Sequence, residues 1–300
     1  MAEFTKKHIV QRRKDGSLKH RDVWVPSKET KSVNRIFLRG ASWTGSAFDA
    51  YRMVSPYATG AVLSKSLLDN VRPHLHNRHF YMTDLKNAFP SVDIEHLIQI
   101  VQDGPEIMTG PEPYNLAEFI TKHATSPEIP GLPTGSPASP LLFNIYCRPM
   151  DMELGKYCTE NDIAYTRYLD DLTFSAAAPL GYRRRAVLRD IIQATPGMRI
   201  NDGKSHIHSL KDSPVTITGV SLYPDGRMEP SPQLMETAKE VFKEIGDRAL
   251  AGQFVLKEDI GQLHGYHGAI MQLSSRETPA IRQLDKLYQR ALGAIGAKTL

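Results

Sequence analysis

Two adjacent carboxylates, Asp170 and Asp171, constrain this chain more than any other feature of its sequence. They follow one strand-like apolar stretch, residues 163–168, and precede another, residues 172–175. Neighbouring carboxylates repel each other, so their position needs a physical reason. In a β-hairpin the turn lifts both side chains out of the alternation of the strands, and a hard divalent cation relieves their repulsion. The pattern predicts a hairpin that holds magnesium, although Asp-Asp is also an ordinary hairpin turn.

A third carboxylate ends a second strand-like stretch. This stretch, His79-Phe-Tyr-Met-Thr-Asp84, closes with Asp84, and Ser91 or Asp93 then caps an amphipathic helix. If the strands pair, Asp84 lies beside the hairpin. Three carboxylates at strand edges can hold two Mg²⁺ ions about 3.5–4 Å apart, which is the geometry of two-metal phosphoryl transfer. A solvated aspartate at a strand exit is the alternative.

A loop rich in proline and glycine lies between these carboxylates. It reads Gly131-Leu-Pro-Thr-Gly-Ser-Pro-Ala-Ser-Pro140, and the apolar run after Pro140 predicts a helix with proline in its first turn. Free backbone N–H groups at such an entrance suit a nucleotide or a template backbone. A plain surface loop is the alternative.

Periodicity predicts several further helices. Apolar residues recur at helical spacing in Ser64–Leu75 and in three stretches near the C-terminus, Leu234–Leu250, Lys257–Leu273 and Pro279–Ala294. The middle of the chain alternates strands and helices, as expected of an antiparallel sheet backed by helices. The sequence therefore predicts an α+β protein with a helical C-terminal part.

The order of the carboxylate and loop motifs resembles that of the reverse transcriptase family. The matching elements are Asp84 with Phe89-Pro90-Ser91, the 132–140 loop with Asn144, and Tyr168-Leu-Asp-Asp171. Further similarity lies in the fingers hairpin (Lys14-Asp-Gly-Ser, Arg21, Pro26), the later palm lysine (Asn201-x-x-Lys204) and the primer grip (Thr218-Gly219-Val220). The resemblance covers roughly residues 10 to 295.

Two elements are similar to those of bacterial retron-type enzymes within this family. Asn70-Val-Arg-Pro-His74 resembles their Asn-Ala-x-x-His element, and Thr216-Ile-Thr-Gly219 resembles their Val-Thr-Gly triplet. One position departs from the family pattern, because Thr134 stands where these enzymes usually carry glutamine. Threonine is too short to reach as far towards an incoming nucleotide, so contacts there are expected from the backbone or from elsewhere.

The resemblance implies a right-hand polymerase with fingers at residues 1–80, an antiparallel-sheet palm at 81–225 and a helical thumb at 226–300. It implies an RNA-directed DNA polymerase that copies a structured noncoding RNA in a bacterial retron with an antiphage role. The implied partners are the RNA template and primer with their DNA product, deoxynucleoside triphosphates and an effector protein. The alternatives are another defence-associated or group II intron-like reverse transcriptase, and a catalytically idle polymerase fold that binds RNA.

The resemblance also implies a role for each motif residue. Two Mg²⁺ ions would be held by Asp84, Asp170 and Asp171 with the backbone carbonyl of Leu85. Contacts to the incoming nucleotide are implied for Arg21 with Lys14 or Lys19, Phe89, Thr134, Gly135, Asn144 and Lys204. Contacts to primer or template are implied for Tyr168, Thr218, Gly219, Asn70 and His74. Phe89 would be an aromatic gate that clashes with a ribose 2′-OH and so selects deoxynucleotides.

Overall composition limits the partners only weakly. The formal net charge is +4, which is mildly basic, so nucleic-acid binding has to rest on local clusters. Basic clusters occur at Lys6-Lys7 with Arg12-Arg13-Lys14, at Lys19 to Arg21, and at Arg183-Arg184-Arg185 with Arg189. Neither Cys147 nor Cys158 has a metal-ligand or redox spacing, and no signal or membrane segment stands out. A cytoplasmic protein with reduced thiols is expected.

Overall fold

The structure is a computed structural model, and it describes residues 2–12, 18–41, 50–103, 116–274 and 277–296. The Lys14-Asp-Gly-Ser motif lies outside the described residues, as do Arg13 and the side chains of Arg12 and Lys19. The triphosphate contact expected of Lys14 or Lys19 therefore stays a prediction.

The elements of the described residues are named in chain order. The strands are β1 (Phe4–Arg12), β2 (Leu18–Pro26), β3 (His79–Asp84), β4 (Ala164–Tyr168), β5 (Asp171–Ala176), β6 (His206–Ser209), β7 (Val215–Ile217), β8 (Val220–Leu222) and β9 (Met228–Pro230). The helices are α1 (Lys28–Ala41), α2 (Leu67–Val71), α3 (Ile94–Gln102), α4 (Leu116–Phe119), α5 (Ser139–Tyr146), α6 (Arg148–Glu160), α7 (Tyr182–Ala194), α8 (Pro232–Leu250), α9 (Lys257–Leu273) and α10 (Pro279–Gly296). Within the described ranges, none of these helices has the length and apolar character that crossing a membrane requires.

The chain forms two compact units. The first comprises Met1–Ser66 and His79–Ile207, and the second comprises Leu67–Arg78 and His208–Leu300. This division differs from the three subdomains expected from the sequence, because residues 67–78 and 208–225 group with the three C-terminal helices. The boundaries of fingers, palm and thumb stay a prediction.

The first unit is built on an antiparallel sheet with the strand order β4-β5-β3-β6, and its boundary falls within β6. β3 pairs with β5 so that Asp84 lies opposite Asp171, and β4 pairs with β5 so that Tyr168 also lies opposite Asp171. Both central strands are buried along nearly their whole length. This burial explains why they are largely apolar instead of strictly alternating.

A two-stranded hairpin precedes α1 in the same unit. β1 and β2 pair over nine positions, from Phe4 opposite Pro26 to Arg12 opposite Leu18. Successive side chains of a strand point to opposite faces, so Asp22 and Arg21 lie on different faces of the hairpin. Asp22 forms an ion pair with Lys6 at 2.8 Å, which leaves Arg21 on the face away from that pair.

Aromatic rings fill the core of the first unit. The ring of Phe174 on β5 lies 4.8 Å from that of Tyr165 and 5.9 Å from that of Tyr81, measured between centroids. Phe174 is fully buried, and burying a side chain of this size stabilises the fold by about 1.5–3 kcal/mol. α5 is buried almost all round, which marks it as a core helix.

Most elements lie where the sequence predicts them. Asp93 caps α3 by accepting a hydrogen bond from the backbone N–H of His96 at 3.0 Å, and the three C-terminal helices begin and end within two residues of the expected bounds. The helix expected at 64–75 is wrong in length, since α2 covers only Leu67–Val71 and a 3₁₀ turn follows. Ser64 has a φ of 63°, and Pro73 lacks the N–H that an α-helix would need.

The second unit combines a small sheet with three helices. β7, β8 and β9 form an antiparallel sheet in that order. The helices enclose an apolar core to which Phe242 of α8, Leu263 of α9 and Leu284 of α10 contribute. Ser231 begins α8, because its side chain accepts a hydrogen bond from the N–H of Leu234 at 3.1 Å, the usual role of an N-cap serine.

Gly155 of α6 provides a test of packing in the first unit. A Cβ added there would lie 2.1 Å from two ring carbons of Tyr57, so Gly155→Ala should lower the free energy of unfolding by about 1–3 kcal/mol, the usual cost of overpacking. Urea titration followed by circular dichroism measures the change. Gly40→Ala in α1 is the matched control, since an added Cβ there meets no atom within 4 Å. Equal effects of the two substitutions would contradict this packing.

Candidate active site

The three carboxylates expected from the sequence lie at the same end of the paired strands β3 and β5 in the first unit. Asp84 ends β3 and lies directly opposite Asp171, the first residue of β5. Asp170 lies in the turn between β4 and β5, and its carbonyl accepts a hydrogen bond from the N–H of Leu85 at 2.9 Å. Leu169 in the same turn has a φ of 54°, the left-handed conformation that a tight hairpin requires.

Asp84 is almost enclosed by protein, with 5% of its surface exposed. Its Oδ2 accepts hydrogen bonds from Lys204 Nζ at 2.7 Å and from Asn201 Nδ2 at 3.3 Å. Its Oδ1 is buried and has no hydrogen-bond partner among the described residues. A buried carboxylate oxygen without a partner costs free energy. Binding a cation through Oδ1 would offset this cost.

Burial raises the pKa of both carboxyl groups in the turn. For Asp170 burial is the largest cause of the raised pKa and the charge of Asp84 adds to it, whereas Lys204 and Arg21 act in the opposite direction. For Asp171 burial, followed by repulsion from Asp170 and Asp84, raises the pKa to about 6. Ionising both Asp170 and Asp171 is therefore unfavourable unless further positive charge is bound.

The donor set fits a hard divalent cation in its chemistry and charge. Its atoms are carboxylate oxygens, the ligands that Mg²⁺ prefers, and one of them has no other partner. Within the described residues, no three side chains of His, Cys, Asp or Glu are arranged to hold an ion. The ammonium group of Lys204 holds Oδ2 of Asp84, which leaves Oδ1 as the oxygen that a cation could bind.

A buried ion pair supports the turn from inside the unit. Arg167 on β4 and Asp151 on α6 are both fully buried, and Arg167 Nε and Nη2 donate to the two carboxylate oxygens at 2.8 and 2.7 Å. Arg167 Nη1 donates to the carbonyl of Leu169 at 2.9 Å, and the hydroxyl of Tyr165 donates to Asp151 at 2.7 Å. The pair thus fixes the carbonyl that immediately precedes Asp170.

Asn144 belongs to this buried network. Its side chain is fully buried, with Nδ2 donating to the carbonyl of Gly60 at 2.8 Å and Oδ1 accepting from Arg167 Nη1 at 3.0 Å. The role in nucleotide positioning that is expected of Asn144 stays a prediction. Arg167 Nη1 links Asn144 to the carbonyl of Leu169, which precedes Asp170.

The loop at 131–140 is held in place by backbone contacts. The N–H of Leu132 donates to the carbonyl of Phe89 at 2.9 Å. A Cβ on Gly135 would lie 2.4 Å from the carbonyl oxygen of Trp24, so only glycine fits beside β2. The exposed Thr134 makes a long hydrogen bond, 3.4 Å, to the carbonyl of Asp22. The loop is thus packed against β2 and is more than a plain surface connection.

Three other expected nucleotide or primer contacts lie in the first unit. Phe89 is half-buried and stacks on Phe143 with ring centroids 4.9 Å apart. Arg21 is exposed on β2, and its charge counteracts the raised pKa of Asp170. Tyr168 is half-buried and pairs with Asp171 across the hairpin. These positions are compatible with the expected contacts, which stay predictions.

The remaining expected residues lie in the second unit. Asn70 and His74 are buried, and Asn70 Nδ2 donates to the hydroxyl of Thr218 at 3.0 Å. Thr218 and Gly219 have φ values of 44° and 86°. Burial lowers the pKa of His74 to about 3, so this imidazole is neutral near pH 7. The contacts of Asn70 and His74 with primer or template stay a prediction.

Arg167 and Asp151 were not expected to matter for the site. The sequence does contain a signal, since Arg167 interrupts the apolar stretch 163–168 and Asp151 lies between the apolar Met150 and Leu154, both of which are buried. A buried charge needs an opposite charge. Two opposite charges whose sequence neighbours are apolar are therefore candidates for a pair.

Comparisons with known proteins show which family this chain resembles. A family profile described as reverse transcriptase (RNA-dependent DNA polymerase) matches residues 12–222. The chain is 27% identical to the retron Ec86 reverse transcriptase of Escherichia coli, over 96% of this chain and 83% of that protein. It is 27% identical to the retron Mx162 reverse transcriptase of Myxococcus xanthus, over 73% of this chain and 47% of that protein.

Among solved structures, apo telomerase from Candida tropicalis is similar to this chain with a TM-score of 0.53. The match covers 99% of this chain and 58% of the telomerase chain, at 10% sequence identity. At this identity the likeness shows the fold alone.

The buried pair can be tested by a double-mutant cycle. Arg167→Met and Asp151→Leu each leave an unpaired buried charge, so each should lower the free energy of unfolding by about 3–5 kcal/mol. The double variant removes both charges and should lose clearly less than the sum of the two single losses, as measured by urea titration. Additive losses would contradict the coupling assigned to this pair.

Proposed function

Because this chain belongs to the reverse transcriptase (RNA-dependent DNA polymerase) family, we propose that it copies a structured noncoding RNA into DNA as a retron-type enzyme. It is an RNA-directed DNA polymerase with the right-hand polymerase fold. Its similarity to retron reverse transcriptases from two bacteria supports the proposed class of template. The proposed setting is an antiphage retron in the cytoplasm, with an effector protein as a further partner.

One observation carries the proposed chemistry, the pairing of Asp84 with Asp171 across β3 and β5 with Asp170 in the adjoining turn. Asp84 and Asp170, with the carbonyl of Leu85, would hold two Mg²⁺ ions, and Asp171 would be the weaker ligand. When bound, such ions lower the pKa of a primer hydroxyl and neutralise the triphosphate and the leaving pyrophosphate. The unpartnered Oδ1 of Asp84 supports this assignment.

The basic residues of the site are assigned to the triphosphate. Lys204 forms an ion pair with Asp84, and its side chain is 59% exposed. Its ammonium group would therefore be able to move from that carboxylate to the leaving pyrophosphate. Arg21, which is exposed on β2, would hold the triphosphate. At the loop, the backbone of Gly135 and the short Thr134 would leave room for the nucleotide.

The primer and template are assigned to residues near two turns. Tyr168 would position the primer end beside Asp171. In the second unit, the turn at Thr218 and Gly219 would contact the primer, and Asn70 holds Thr218 through a hydrogen bond. Asn70 and His74 would be further contacts to primer or template. A structured RNA is recognised mainly through its shape and 2′-OH groups. A turn whose backbone is fixed by a hydrogen bond suits this kind of recognition.

Replacement of single carboxylates tests the proposed function. Asp84→Asn and Asp170→Asn should each lower deoxynucleotide incorporation on an oligo(dT)-primed poly(rA) template by about 10²-fold or more, because electrostatic stabilisation of the transition state is lost. RNA affinity, measured by fluorescence anisotropy, should stay nearly unchanged, since it rests on remote phosphate contacts. Asp103→Asn, at the C-terminal end of α3, is the control. Full activity of either site variant would refute the assignment.

Phe89 tests sugar selection. Phe89→Ala removes the ring that would clash with a ribose 2′-OH, so the kcat/KM for ribonucleotides should rise relative to that for deoxynucleotides. Phe143→Leu, which changes the ring stacked on Phe89, separates packing from selection and should lower stability without moving the ratio. An unchanged ratio in a destabilised Phe89→Ala variant would make Phe89 a core residue only.

A further inference from the structure

The outer face of α1 carries a row of cations that no motif above includes. Lys28, Lys31 and Arg35 are spaced by three and four residues, so they lie along one face of the helix. Lys28 and Arg35 are exposed, and Lys31 is half-buried. At a rise of about 1.5 Å per residue, the row spans roughly 10 Å. Arg39 continues the same face one turn further on.

This row does not stabilise the helix that carries it. No carboxylate among the described residues pairs with Lys28, Lys31 or Arg35, and like charges at these spacings destabilise a helix by about 0.2–0.5 kcal/mol per pair. Other helical segments of the chain place opposite charges at the same spacings, namely Glu118–Lys122, Glu236–Lys239 and Glu244–Arg248. The unbalanced charge of α1 therefore indicates an anionic partner.

The opposite face of α1 is firmly anchored in the first unit. Asn34 is fully buried, with Nδ2 donating to the carbonyl of His123 at 2.8 Å and Oδ1 accepting from Ser136 Oγ at 2.8 Å. Phe37 stacks on Phe119 with ring centroids 3.9 Å apart. The cations thus project from a rigid helix that is tied to the loop at 131–140 through Ser136.

We propose that Lys28, Lys31 and Arg35 bind the phosphate backbone of an RNA strand and hold it without regard to base sequence. Three cations over roughly 10 Å correspond to about three phosphates, at about 3.4 Å per phosphate along one strand of a duplex. Contacts to phosphate fix the position of a nucleic acid but carry no sequence information. The inference rests on the proposed function, since it takes RNA as the polymer that the enzyme holds.

The test compares the wild-type chain with the triple variant Lys28→Gln, Lys31→Gln and Arg35→Gln. Affinity for a fluorescein-labelled RNA stem-loop with a single-stranded tail is measured by anisotropy over a range of NaCl concentrations. The variant should bind about 10-fold more weakly at about 0.1 M salt, and the slope of log affinity against log salt should become shallower by about 2 to 3. A second stem-loop with a shuffled sequence should show the same loss.

A charge-conserving variant, Lys28→Arg, Lys31→Arg and Arg35→Lys, is the matched control and should keep the wild-type affinity and slope. If the glutamine variant keeps both, or if the charge-conserving variant loses as much, the α1 surface is not a phosphate site. Deoxynucleotide incorporation on saturating poly(rA) with oligo(dT) is measured in parallel, and the glutamine variant should keep its kcat. A wild-type chain without incorporation would reject the proposed function, whereas an active chain with unchanged RNA affinity in the variant would reject the α1 surface alone.

Discussion

The position of the carboxylate turn depends on the buried pair of Arg167 and Asp151. Taking two charges out of water costs several kcal/mol per ion unless their hydrogen bonds are well satisfied, and here both carboxylate oxygens and three guanidinium nitrogens have partners. These bonds join β4 to α6 and, through Asn144, to α5 and Gly60. The buried hydrogen bonds therefore fix the position of the turn, despite the repulsion between its neighbouring carboxylates.

The sequence predicts those parts of the fold and site that have a local signal. The hairpin around Asp170 and Asp171, the strand that ends at Asp84 and the three C-terminal helices follow from alternation, periodicity and capping. The orientation of the Asn144 side chain depends on its hydrogen bond with Arg167, which lies 23 residues further along the chain. Such a pairing is a tertiary event, and no local pattern encodes it.

The same limit applies to the second unit and to α1. The retron-like element at 70–74 can be recognised from its amino-acid sequence. The hydrogen bond from Asn70 to Thr218, 148 residues away, forms only in the folded unit. A β-branched residue at positive φ is unfavourable, and the hydrogen bond from Asn70 offsets part of that cost. On α1, the basic residues are separated in the sequence, and only the helix places them in one row.

The close approach of Gly135 to the carbonyl of Trp24 limits how this site can diverge between related sequences. Since the obstacle is a main-chain atom, no replacement of the side chain at position 24 creates room for a larger residue at 135. Position 134 has no such restriction, because its side chain is exposed. At this part of the loop, a change of side chain is thus accommodated at residue 134, whereas a side chain at residue 135 would force the backbone away from β2.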